Sequence, residues 1–311
     1  MKILLVVDGS SYSDAATNML KALHLHSDAE MIVMTVVPEH TFLGGITLGK
    51  FHAAPAVRDA QQYKAIEMVQ KSAKALSDIR PEVETVVRWG NPAEEILRET
   101  DSNSISLVIM GAKGLTDPLP FRLGSVAQTV MKHAKASVLL VREKSVSARR
   151  TLPASSKTAA VIRVLLATDG SRYSDMTTQF LLGLPLPKQT EIIIITALQS
   201  HIEAWMKTPT LDFRTNQEIL AKLQAAEEAQ AHNITAKVEK QFRENGYKTA
   251  SVVVRGGPGE CILAAAKEYS PDIITVGSRG LTGIESFLLG SVAERVARYA
   301  NCSVLIGRAP K

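Results

Sequence analysis

Cysteine is nearly absent: Cys261 and Cys302 are the only two in 311 residues, far apart and with no Cys-x-x-Cys pair. That excludes a disulfide framework and a cysteine-built zinc module, and it fits small buried thiols in a reducing compartment. Aromatic residues are scarce too, at 5%, which argues against a base-stacking surface. Runs of one charge are missing. The net charge is +5, and no Lys/Arg run is longer than Arg149-Arg150. The chain therefore tolerates an anionic ligand without requiring nucleic acid. Long apolar runs are missing as well: the longest, about 192–198, falls far short of the ~18 residues of a membrane span. The opening "MKILLVVDGS" is too short for the core of a signal peptide. These absences predict a cytoplasmic protein with neither a nucleic acid nor a membrane as partner.

What is present is a well-cored chain, 45% hydrophobic and 22% charged, long enough for two domains of ordinary size. It is one unit written twice. "ILLVVDGSSYSDAATNML" (3–20) matches "VLLATDGSRYSDMTTQFL" (164–181), and "VVRWGNPAEEIL" (86–97) matches "VVVRGGPGECIL" (252–263). "GAKGLTDPLPFRLGSVAQTV" (111–130) matches "GSRGLTGIESFLLGSVAERV" (277–296), and "ASVLLVR" (136–142) matches "CSVLIGR" (302–308). The offset grows only from 161 residues (Asp8 to Asp169) to 166 (Gly111 to Gly277). A period this long means duplicated domains and not a solenoid. We place them at 1–143 and 161–311. The segment 144–160 between them is rich in Ser, Ala and charge, holds Pro153, and reads as a linker.

Each half alternates short β-branched runs with helical patterns. Half one reads as strands 2–8, 31–37, 83–88, 106–111 and 137–142, with helices 13–24, 58–79, 92–101 and 125–134 between them. Half two repeats the series with a longer central helix near 214–245. Strands that are continuous apolar runs are buried on both faces, so the alternation predicts an α/β fold with a parallel sheet covered by helices. Asn91-Pro92 and Gly257-Pro258 put proline at a first helical position.

The strand ends carry the chemistry. Asp8-Gly9-Ser10 and Asp169-Gly170-Ser171 each follow the first strand of a half. In a doubly wound sheet ligands sit outside the carboxyl ends of strands, where the strand order reverses. A carboxylate there can accept from a base amino group or a ribose hydroxyl, or it can simply fix the turn. A Gly-x2-Gly-x9-Gly-Ser frame follows the fourth strand in both halves: Gly111, Gly114, Gly124 and Ser125, then Gly277, Gly280, Gly290 and Ser291. The first two glycines let backbone approach a ligand and take positive φ. The third glycine and the serine open a helix whose free N–H groups and dipole favour an anion. A plain glycine turn with a Ser N-cap gives the same spacing. Two copies favour a ligand. Lys113 and Arg279 add a cation at matching positions.

Taken jointly, the Asp-Gly-Ser, the Gly-x-Pro-x-Glu-x-Ile and the Gly-x2-Gly-x9-Gly-Ser-Val-Ala motifs resemble the universal stress protein family over nearly the whole chain, as two tandem domains of its ATP-binding subgroup. The resemblance implies two five-stranded parallel sheets of order 3-2-1-4-5, each in an α/β/α sandwich of the adenine nucleotide alpha hydrolase-like kind. By the same resemblance, Asp169 contacts adenine or its vicinity and Ala197 and Leu198 line the base. Gly277 and Gly280 meet ribose and phosphates, and Gly290, Ser291 and Val292 hold the outer phosphates. The matching set in half one is Asp8, Val36, Val37, Gly111, Gly114, Gly124, Ser125 and Val126, with Lys113 opposite Arg279. The implied ligand is ATP, with or without Mg²⁺. Family domains pair through their last strands, which predicts an intramolecular pseudo-dimer through 137–141 and 303–307 and leaves a further homodimer open. Half one departs from the pattern by Asp117, Pro118 and Pro120 inside the nine-residue spacer, and on that ground half two is expected to bind more tightly.

Other features carry less. "GGITLGKF" (44–51) approaches a Walker A loop but has Phe51 where Ser or Thr must hold Mg²⁺, and Pro55 interrupts the helix that should follow. His24 and His26 lack further partners for a metal. No Ser/His/Asp, Cys/His or paired-carboxylate set recurs in both halves, so no catalytic residue is assigned. Three functions stay open: an ATP-binding regulatory protein of the stress response with at most slow hydrolysis, an interaction module with vestigial sites, and a nucleotide-processing enzyme.

Overall fold

A computed structural model describes residues 1–23, 25, 29–39, 42, 43, 46, 47, 55–79, 82–115, 123–143, 161–199, 213–280 and 289–308. Half one runs β1 (Lys2–Val6), α1 (Ser11–Ala22), β2 (Glu30–Val37), β3 (Phe42–Leu43), β4 (Ile46–Thr47), α2 (Pro55–Leu76), β5 (Glu84–Trp89), α3 (Pro92–Ser102), β6 (Leu107–Gly111), α4 (Ser125–His133) and β7 (Ser137–Val141). Half two runs β8 (Arg163–Ala167), α5 (Arg172–Gly183), β9 (Glu191–Leu198), α6 (Phe213–Glu244), β10 (Lys248–Arg255), α7 (Pro258–Tyr269), β11 (Ile273–Gly277), α8 (Ser291–Tyr299) and β12 (Ser303–Gly307). Boundaries differ from the sequence reading by a few residues. Ser10 starts α1 early because its side chain accepts from the Ser13 N–H, and Ser171 does the same for α5. Pro55 begins α2 instead of interrupting a helix, since a first-turn N–H has no intrahelical acceptor to lose.

Both halves have the expected strand order, but their sheets are continuous. The order is β10-β9-β8-β11-β12-β7-β6-β1-β2-β5, parallel within each half and antiparallel where β12 meets β7. Leu139 faces Leu305 at the centre of that seam, with Val138 opposite Ile306 and Leu140 opposite Val304. The last strands thus pair inside one chain, and neither is an open edge. β3 and β4 form a separate small antiparallel sheet.

Strand alternation feeds two apolar layers. Leu4, Ile32, Val108, Val138 and their counterparts Leu165, Ile193, Ile274 and Val304 pack one face against α3, α4, α7 and α8. Ile3, Leu5, Ile109, Leu139, Val164, Leu166 and Leu305 pack the other against α1, α2, α5 and α6. Each layer runs through both halves without a break. β6, β7 and β12 are buried along their whole length, whereas edge strands β5 and β10 carry exposed positions.

The seam has a reciprocal polar clamp. Arg142, just past β7, donates through Nη2 to the carbonyls of Ala297 (3.0 Å) and Arg298 (3.4 Å) in the last turn of α8. Arg308, just past β12, donates to the carbonyls of Met131 and Lys132 in the last turn of α4 and to Ala136 O at 3.2 Å. The Arg142 N–H donates to Ser303 Oγ, and the Arg308 N–H to Ser137 Oγ. Helix C-termini leave carbonyls without intrahelical donors, and here the donors come from the opposite half. No helix among the described residues is long and apolar enough to cross a membrane.

Candidate functional site

The carboxyl ends of β1 and β6 are neighbours, as are those of β8 and β11, because the strand order reverses there. A cavity opens at each reversal, about 750 Å³ in half one and about 550 Å³ in half two. Both lie in the ordinary range for a small-molecule site.

The structure brings the sequence-derived residues together. Asp8, Val36, Val37, Gly111, Lys113, Gly114, Gly124, Ser125 and Val126 all line the first cavity. Asp169, Ala197, Gly277, Arg279, Gly280, Gly290, Ser291 and Val292 line the second. Leu198 is not in that wall. It closes β9 in register with Arg255 and is half-buried. Asp117, Pro118, Pro120 and residues 281–288 of the matching spacer in half two lie outside the described residues, as do His24, His26, the linker and most of the 44–51 stretch.

Each aspartate has two tasks. Asp8 Oδ1 accepts from the Ser10 N–H at 3.0 Å and from Ser10 Oγ at 2.6 Å, and Asp169 Oδ1 accepts from the Ser171 N–H at 2.9 Å. These are Asx turns that fix the strand-to-helix corner. The other oxygen, Oδ2, points at the glycine loop. A Cβ on Gly114 would stand 2.9 Å from Asp8 Oδ2, and one on Gly280 would stand 2.8 Å from Asp169 Oδ2.

The glycine frame does less and more than its spacing suggested. None of Gly111, Gly114, Gly277 and Gly280 has positive φ; the corner glycines Gly9 (77°) and Gly170 (73°) do. Gly111 is small because the start of α1 presses on it, with Tyr12 Cβ 2.8 Å from where its own Cβ would be. Gly277 is crowded less tightly, with the Arg279 carbonyl 3.1 Å and the Tyr173 backbone 3.3 Å from where its Cβ would be. The first glycine of each frame is therefore a packing requirement. The third is the helix cap. Gly124 and Gly290 are the N-caps of α4 and α8, and neither helix has a side-chain cap hydrogen bond. Ser125 and Ser291 occupy the first helical turn, so the glycine and serine open the helix together, and the alternative of a Ser N-cap is not what forms. The first-turn residues Ser125 and Val126, and Ser291 and Val292, line the cavities, and the N-cap glycines supply no side-chain acceptor to that turn, which is an arrangement suited to an anion.

The cations differ between halves. Arg279 Nη1 donates to Tyr173 Oη at 2.9 Å, with its guanidinium 5.3 Å from the ring centroid. Lys113 is buried in the first cavity's wall. Sequence reasoning missed the wall that α2 supplies there, Gln61, Lys64, Ala65 and Met68. Their i, i+3, i+4, i+7 spacing was the available signal, masked by the low amphipathicity of that helix. It also missed Gln128 and Glu294, which sit one turn into α4 and α8 at matching positions. Glu294 Oε1 pairs with Arg298 at 3.1 Å and, across the seam, with Lys132 at 3.2 Å. Among the described residues, no group of three His, Cys, Asp or Glu could hold a metal ion.

Comparison with known proteins agrees with the duplicated architecture. The profile of the universal stress protein family matches residues 1–142 and again 162–308. A universal stress protein of Mycolicibacterium smegmatis is 26% identical over 313 aligned positions, covering 98% of this chain and 96% of its own length. One from Methanocaldococcus jannaschii is 30% identical over 149 positions, 48% of this chain and 83% of that protein. The crystal structure of a universal stress protein from Archaeoglobus fulgidus shares the fold across the whole chain and 97% of its own, with a TM-score of 0.58 at 20% identity. With the sequence matched in both halves and the strand order reproduced twice, the chain belongs to the universal stress protein family.

Proposed function

We propose that the chain is an ATP-binding regulatory protein of the stress response, holding adenine nucleotide in each of its two cavities, with at most slow hydrolysis. One observation carries the reading. In both halves an uncapped helix N-terminus opens onto a cavity at the strand-order reversal, facing an Asp whose second oxygen points into the glycine loop. On this reading the base lies toward Asp8 with Val36 and Val37, or toward Asp169 with Ala197. The phosphates lie on the N–H groups of Ser125 and Val126, or of Ser291 and Val292, and Mg²⁺ arrives with the nucleotide. The domain limits 1–143 and 161–311 belong to the same proposal.

The test is direct. Protein purified without added nucleotide and then denatured is expected to release adenine nucleotide. Calorimetry of stripped protein should fit two ATP sites per chain with Mg²⁺ present. No release and no heat of binding would leave an interaction module as the reading.

A further inference from the structure

Helices α4 and α8 are each nine residues long and have the same two-ended arrangement. The N-terminus of α4 opens into the cavity of half one, while its last-turn carbonyls, Met131 and Lys132, are held by Arg308 of half two. The N-terminus of α8 opens into the cavity of half two, while Ala297 and Arg298 are held by Arg142 of half one. Both arginines are largely buried, and burial lowers the pKa of each, that of Arg308 to about 10. They remain charged at neutral pH.

We infer that Arg142 and Arg308 are crossed positioning residues: each sets the anion-binding helix of the opposite half, so that each cavity depends on the half that does not contain it. The inference rests on the reading of the cavities as nucleotide sites. The physical reason is helix length. A helix of two and a half turns is marginal by itself, and its formation and placement are decided at its ends. The N-terminal N–H groups must stay uncapped to receive phosphate, so the fixed end has to be the C-terminal one. A guanidinium there satisfies the orphan carbonyls and matches the negative end of the helix dipole. Releasing it lets the last turn fray and the N–H groups drift from the geometry that meets the ligand. The Lys132–Glu294 ion pair adds a direct contact between α4 and the wall of the second cavity, a contact without a charged counterpart at Gln128.

The experiment uses the full chain, with Gly124→Asp or Gly290→Asp closing one cavity so that the other is read alone by calorimetry with Mg-ATP. Arg308→Met is expected to weaken the half-one cavity by about three- to tenfold and to change half two by less, where Arg308 acts only through its charge on Arg279. Arg142→Met should do the converse, and the Lys variants should restore most of the affinity. Hydrogen exchange, read on the same proteins without nucleotide, should rise over 123–133 in Arg308→Met and over 289–299 in Arg142→Met. Equal losses at both cavities, or losses confined to the mutated half, would overturn the inference. If the parent chain binds no nucleotide, the reading of the cavities fails. The crossed exchange pattern then decides the positioning role separately, and its absence overturns that too. Should the Met variants not fold, the Lys variants alone must show a smaller effect of the same crossed sense.

Discussion

At the scale of single residues, Cys302 shows how burial fixes chemistry. It lies against the sheet, 5% exposed, and desolvation is the main reason its thiol is pushed up to about 12 from an ordinary value of 9.0. Below pH 9 both folded and unfolded states keep the proton, so the shift has no effect on stability. Between 9 and 12 the unfolded chain loses the proton and the folded chain keeps it, so stability falls by about 1.4 kcal/mol per pH unit. The expected outcome is a chemical-denaturation midpoint that declines from pH 9 to 11 more steeply in the parent than in Cys302→Ala. In native protein at pH 8, iodoacetamide should reach half-buried Cys261 first and Cys302 only on unfolding. An equal slope in the variant, or early labelling of Cys302, contradicts the buried thiol. At the same scale, Gly114 and Gly280 are glycine because a methyl group would stand under 3.0 Å from an aspartate oxygen.

At the scale of elements, the helices divide by how they begin. α1, α3 and α5 are capped by Ser10, Asn91 and Ser171 through their side chains. α4, α7 and α8 begin at glycines, Gly124, Gly257 and Gly290, that offer nothing to the first turn, and in α7 Pro258 takes the first helical position. Because Gly290 has φ −75° and ψ 151°, an L residue fits there without backbone strain. Gly290→Asp should therefore leave stability within about 0.5 kcal/mol of the parent, since its carboxylate supplies the missing cap. It should also remove ATP binding from the second cavity, because that carboxylate occupies and repels the anion position. Thermal unfolding and calorimetry on one preparation check both halves of the statement. A loss of more than about 2 kcal/mol would make the glycine a packing requirement instead.

At the scale of the whole molecule, the ten-stranded sheet means that neither half owns a complete core. Leu139 and Leu305 face each other across the seam and are almost fully buried. Separating halves 1–143 and 161–311 would expose two fully buried strands and leave Arg142 and Arg308 without the carbonyls they hold. Halves 1–143 and 161–311 expressed together are expected to co-purify as one species with a sedimentation coefficient close to that of the intact chain. Either half alone should self-associate or precipitate. Two well-behaved monomers would show that the seam is dispensable.

By itself the sequence determined the duplication, because one half can be laid directly on the other, and the strand–helix alternation and the two strand-end motifs, because these rest on local patterns: continuous apolar runs, helical periodicity, and turn chemistry around Asp8 and Asp169. The 3-2-1-4-5 order came by resemblance to a family and not from any local pattern, since strand order depends on contacts far apart in the chain. The tertiary structure alone decided which glycine serves which purpose. Gly111 and Gly277 follow the same spacing rule as Gly124 and Gly290, yet the first pair yields to Tyr12 and Tyr173, and the second leaves a helix open. It also placed Lys64 and Met68 of α2 in the first cavity, and Leu198 outside the wall of the second. Finally, it joined Arg142 to α8 and Arg308 to α4, more than 150 residues apart. A helix C-terminus will accept any donor that reaches it, so the identity of that donor is settled only when the two halves pack.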